Sequence, residues 1–124
     1  MGWLSKLRSR FAAKGAQLST PQPAGLIHVL LDRSAEFGDR GDAALDLGAY
    51  DGPEVETALM EIAADATTDP DLAESCGESL GEIWSRKPTF DPALLSGLAP
   101  VTRTLARGIL LHRRPEWREL LGQP

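Results

Sequence analysis

The segment Ala43-Ala44-Leu45-Asp46-Leu47-Gly48 returns 33 positions later as Cys76-Gly77-Glu78-Ser79-Leu80-Gly81. Between the two copies lies one more amphipathic helix pattern, opened by Gly52-Pro53. Helix, turn, helix and then the same again is the pattern of a helical-repeat architecture. The stretch that holds both copies, Asp39 to Trp84, also carries most of the acidic side chains.

Proline marks where the helices begin. Pro53 suits the first helical position, where a missing N–H costs nothing, and Glu54 and Glu56 suit the positive end of the helix dipole. Thr67-Thr68-Asp69-Pro70 repeats that punctuation with a cap residue, a proline and then Asp71. The spacing predicts helices over about Ala24–Arg33 and Ala35–Ala49, from Pro53, from Pro70 to about Ser85, over Ala93–Gly97 and from Pro100. A last amphipathic turn follows Pro115. Gly48 with Tyr50-Asp51-Gly52 reads as a C-cap and turn. No segment shows sustained period-two alternation, so the expected class is all-α.

The expected inward residues follow from the same periodicity. They are Leu26, Ile27, Leu30 and Leu31 in the first helix, and Phe37, Ala43, Ala44 and Leu47 in the second. Val55, Ala58, Leu59, Ile62 and Ala63 follow in the third, and Leu72, Cys76, Leu80 and Ile83 in the fourth. Val101, Leu105, Ile109 and Leu110 form a later stripe, and Trp117, Leu120 and Leu121 close the chain. Asp39, Asp42 and Asp46 are expected on the solvent face of the second helix.

Small residues at recurring positions, Ala43-Ala44 with Leu47-Gly48 and Cys76-Gly77 with Leu80-Gly81, resemble HEAT repeats of the short variety named after phycobilin-lyase subunits. The resemblance is good over about 50 residues and looser over 24–112. It implies a right-handed stack of antiparallel helical hairpins, a small α-solenoid used for protein binding. It implies no chemistry, because function resides in sites and not in folds. The third unit departs from the pattern, having a short first helix and no Leu-Gly.

The 124 residues, 42% of them hydrophobic, suit one folded unit. Residues 1–20 form a basic amphipathic helix and linker, and residues 21–124 the repeat domain. In the first segment Trp3, Leu4, Leu7 and Phe11 fall at helical spacing, with Lys6, Arg8, Arg10 and Lys14 on the other faces. That segment is expected to cap one end of the core or to anchor on anionic lipid or another acidic partner. The net charge of −5 hides a polarity: residues 1–20 carry +4, residues 32–82 carry −13 and residues 86–124 carry +4. The single cysteine supports no disulfide framework, and no apolar run is long enough to span a bilayer, so a cytoplasmic location is expected.

No catalytic constellation stands out. Cys76 occupies an inward position, and His28 has no second ligand or base nearby. His112 precedes Arg113 and Arg114 at a cationic helix end. No metal-ligand spacing and no phosphate-binding Gly-rich loop occurs, and no cofactor is expected. The acids carry the functional signal. Glu74, Glu78 and Glu82 recur every four residues and form one stripe, as do Asp42 and Asp46. Like charges at that spacing oppose a helix by roughly 0.2–0.5 kcal/mol per pair.

These five residues are the expected contact points for a basic protein partner. A bacterial immunity protein that fills the basic cleft of a nuclease-type toxin is a concrete case. Nucleic acid itself would be repelled by the acidic middle. Two alternatives are a lyase-like or enzyme-accessory role, which would draw on Cys76, and a membrane adaptor anchored by residues 3–14.

Overall fold

The computed structural model describes residues 21–122. The expected N-terminal helix and its basic segment lie outside the described residues. Among these, every regular element is helical: α1 (Ala24–Leu31), α2 (Phe37–Leu47), α3 (Pro53–Ala63), α4 (Pro70–Ser85), α5 (Ala93–Ser96), α6 (Pro100–Arg113), a 3-10 turn (Pro115–Trp117) and α7 (Arg118–Leu121).

Local chemistry sets the boundaries. Pro53, Pro70 and Pro100 each open a helix, and Asp69 Oδ1 accepts the Asp71 N–H at 2.9 Å. Gly52 enters α3 at φ 130°, a conformation that side chains rarely adopt. The first helix stops at Leu31, two residues short of Arg33. There Asp32 Oδ1 accepts from the Ser34 N–H at 2.9 Å and from its hydroxyl at 2.6 Å, which turns the chain. Asp65 does the same after α3, with Thr67 at 2.8 and 2.6 Å. The second helix begins at Phe37 because Glu36 is extended, with ψ 140°.

α4 lies at the centre. It packs against α2, α3 and α6, and its contact with α6 is the most extensive between any two described elements. α1 packs on α2 and α3. Leu30, Leu47, Leu59, Ile62, Leu80, Ile83, Trp84 and Leu110 are fully buried. Trp84 and Phe90 meet at 5.2 Å between ring centroids, and Phe90 stacks on Trp117 at 5.8 Å. Arg114 lies 3.9 Å from the Trp117 ring centroid, so cation–π attraction adds to the apolar packing that holds the C-terminal turn.

Arginines from neighbouring elements satisfy the carbonyls that helix ends leave open. Arg40 Nε donates to Leu30 O at 2.9 Å, at the end of α1. Arg86 Nη1 donates to Gly48 O at 2.8 Å, beyond α2. Arg103 reaches Leu95 O at 3.2 Å and Leu98 O at 2.9 Å, around the end of α5. Arg114 Nη1 reaches Ser85 O at 3.0 Å and Lys87 O at 2.8 Å, at the end of α4. The charges of Arg40, Arg86 and Arg114 also sit at the negative ends of the α1, α2 and α4 dipoles.

Four expectations are corrected. Phe37, expected inward, is 47% exposed, because it stands at the first turn of α2 and the buried part of that helix begins only at Asp42. Asp42 and Asp46, expected in solvent, are 6% and 7% exposed. The residues Asp42, Ala43, Ala44, Asp46 and Leu47 are all buried, an arc of about 200° at 100° per residue. A helix enclosed over that much of its circumference takes its flanking acids inward with its alanines. On α6, Leu110 is buried as expected, but its companions are Thr102 and Ala106. Val101 is 44% exposed and Leu105 and Ile109 are half-buried. Leu120 is likewise 45% exposed, whereas Trp117 and Leu121 are buried.

Candidate functional site

The α6 face turned away from the core creates a groove. Glycines determine how closely its two helices approach. A Cβ on Gly77 would come within 2.9 Å of Thr102 O, and one on Gly81 within 2.9 Å of Ile109 Cβ. α4 and α6 therefore meet through glycine backbone on one side and Thr102 and Ala106 on the other. Val101 and Leu105 are left beside the contact, and Ile109 borders it, its Cβ against Gly81. The groove that results has a volume of about 810 Å³.

One wall is Glu74, Glu78 and Glu82 of α4, and the other is Val101, Leu105 and Ile109 of α6. The acidic stripe expected from sequence is thus brought into one groove. At one end His112 and Arg113 close it, and Arg113 Nη2 meets Glu82 Oε1 at 2.9 Å. Both partners are partly exposed, so this pair is worth no more than about 1 kcal/mol. Next to Ile109, Gly108 contributes no side chain, and a Cβ there would find nothing within 4 Å.

The electrostatics follow from the geometry. Burial raises the Glu78 carboxyl above its ordinary range, and the neighbouring Glu82 raises it further. Both effects disfavour the charged form. A cation brought beside Glu78 would offset them.

Asp42 and Asp46 are not part of this groove. They lie on α2, buried, and both are engaged by other groups of the protein. The five expected partner-binding residues therefore divide into three that share a surface and two that belong to the interior. Thr104, Gly108 and the apolar wall were missed because the 101/105/109 stripe is the larger of two adjacent stripes on α6, and size alone assigns it to the core. Gly77 of α4 was the available signal, since it calls for a small residue such as Thr102 opposite it.

Other candidates resolve differently. Cys76 is fully buried and its thiol is pushed up to about 12, with desolvation as the main cause, so it stays protonated at neutral pH. His28 and His112 are exposed. Among the described residues, no group of three His, Cys, Asp or Glu side chains could hold a metal ion, and no helix is long and apolar enough to cross a membrane. A smaller cavity of about 180 Å³ lies between α2 and the turn before α4, where Arg33 and Arg40 face Asp65 and Asp69.

No protein-family model, curated protein or solved structure matches this chain.

Proposed function

We propose that this chain is a non-enzymatic binding module that docks a basic protein partner on the groove between α4 and α6. The observation that carries the reading is the juxtaposition of three glutamates and three apolar side chains on opposite walls. Carboxylates steer a cationic partner and set its register, while apolar area supplies affinity. A basic cleft of the kind found in nuclease-type toxins has the complementary charge, and neutralising such a toxin is the concrete form of this role.

The architecture that presents the groove is a right-handed stack of antiparallel hairpins of HEAT type. Two recurrences support it. Gly48 at the end of α2 abuts Ser79 of α4, and Gly81 of α4 abuts Ile109 of α6. Ser79 Oγ donates to Ala44 O, and Thr102 Oγ1 donates to Ala73 O at 3.4 Å. Each hydroxyl ties a helix to the backbone of the helix two elements before it, α4 to α2 and α6 to α4.

The test is charge reversal. In the full chain, E74K, E78K and E82K together are expected to lower affinity for a partner recovered from native lysate more than tenfold at low salt, with helix content unchanged by circular dichroism. Equal affinity of the folded variant would overturn the proposal.

A further inference from the structure

The spacing of the two walls narrows the occupant beyond its charge. Glu74, Glu78 and Glu82 stand four residues apart, and so do Val101, Leu105 and Ile109. Each row therefore advances by about 6 Å per step over about 12 Å. A segment that satisfies both rows must present apolar side chains along one edge and cations along the adjacent edge, each at that step. An extended strand fails, because its alternate side chains point to opposite faces. It also needs an edge to pair with, and both walls are helices whose backbone groups already bond within them. An α-helix satisfies its own backbone and places residues i, i+4 and i+8 in one row.

We infer that the groove receives a short basic amphipathic α-helix of the partner protein. Its apolar residues at i, i+4 and i+8 lie against Val101, Leu105 and Ile109. Its Lys or Arg residues, three positions further on, lie against Glu74, Glu78 and Glu82. This inference rests on the reading of the groove as a docking site and specifies what docks. Gly108 leaves room for the occupant's side chains beside Ile109, at the end of the apolar wall. Helix-in-groove binding of this kind is read by anchors at helical spacing.

The probe is a fluorescein-labelled 16-residue peptide with Leu at i, i+4 and i+8, Lys three positions after each, and Ala and Gln elsewhere. Its control has the same composition with the Lys residues moved to the opposite face. Fluorescence anisotropy against the full chain is expected to show saturable binding of the patterned peptide, at least tenfold tighter than the control. Gly108→Leu blocks the groove without a clash in the fold, and is expected to weaken binding at least tenfold. Replacing all three glutamates by Gln is expected to do the same.

No binding of the patterned peptide, or unchanged binding to Gly108→Leu, would overturn the inference. If both peptides bind equally and the Gln variant loses both, the helical occupant fails while an acidic docking face survives. If the Gln variant binds as well as the wild type, both readings fail. Trp3, Leu7 and Phe11 with Lys6, Arg10 and Lys14 carry the same spacing in this chain. Tighter peptide binding by the full chain with K6E, R10E and K14E would make that segment the occupant and overturn the assignment to a partner.

Discussion

Glu78 shows how a functional surface and stability oppose each other at a single residue. Its carboxyl is raised by burial and by Glu82. An unfolded glutamate titrates near about 4.3, so the folded chain holds this proton more tightly than the unfolded chain does. The contribution to stability is therefore fully present below that unfolded value and is lost as pH rises through the raised one. Glu78→Gln removes the charged form. Urea unfolding at pH 7 is expected to give a higher midpoint for the variant than for the wild type, with the difference vanishing at pH 3.5. A variant less stable at pH 7 would contradict this. That Glu78 belongs to an acidic row was legible in the spacing of Glu74, Glu78 and Glu82. Its half-buried state was not, because burial depends on where α6 lies.

At the scale of the element, glycine is the residue whose role sequence distinguishes least. Gly41 and Gly77 each occupy a helix interior. A Cβ on Gly41 would meet nothing within 4 Å, while one on Gly77 would press on Thr102 O at 2.9 Å. Gly41→Ala is expected to stabilise the protein by up to about 1 kcal/mol through helix propensity. Gly77→Ala gains the same propensity but overpacks the α4–α6 contact, which costs roughly 1–3 kcal/mol, so a net loss is expected. Chemical denaturation of the two variants side by side tests both signs. A stabilised Gly77→Ala would mean that α6 can shift away from α4 at little cost. Helix starts were read well from Pro53, Asp69-Pro70 and Pro100, since proline and caps act within one turn. Helix ends were read less well, because Asp32 competes for its neighbours' N–H groups through its side chain. The Arg40, Arg86, Arg103 and Arg114 caps were illegible, since each donates to the end of another element.

At the scale of the whole molecule, charge is segregated, and the middle of the chain carries −13 over residues 32–82. A field of that kind acts on encounter more than on residence, raising association rates by about 10 to 10³. For the partner, the association rate is expected to fall at least tenfold between 20 and 300 mM salt in stopped-flow measurements, with the dissociation rate changing less than threefold. An association rate indifferent to salt would exclude steering by this surface.

The sequence alone determined the helical class, the punctuation by proline and aspartate, most of the core of α1, α3 and α4, and the acidic row on α4. All of these are written in periods of three to four residues or in contacts within one turn. Only the tertiary structure decided which of two adjacent stripes on α6 faces inward, that Asp42 and Asp46 are enclosed, and that Val101, Leu105 and Ile109 stand opposite the glutamates. Those outcomes depend on how closely two helices approach, and Gly77 and Gly81 set that distance from the far side of the contact. Periodicity marks the apolar residues of a helix but does not say which of them another helix will cover.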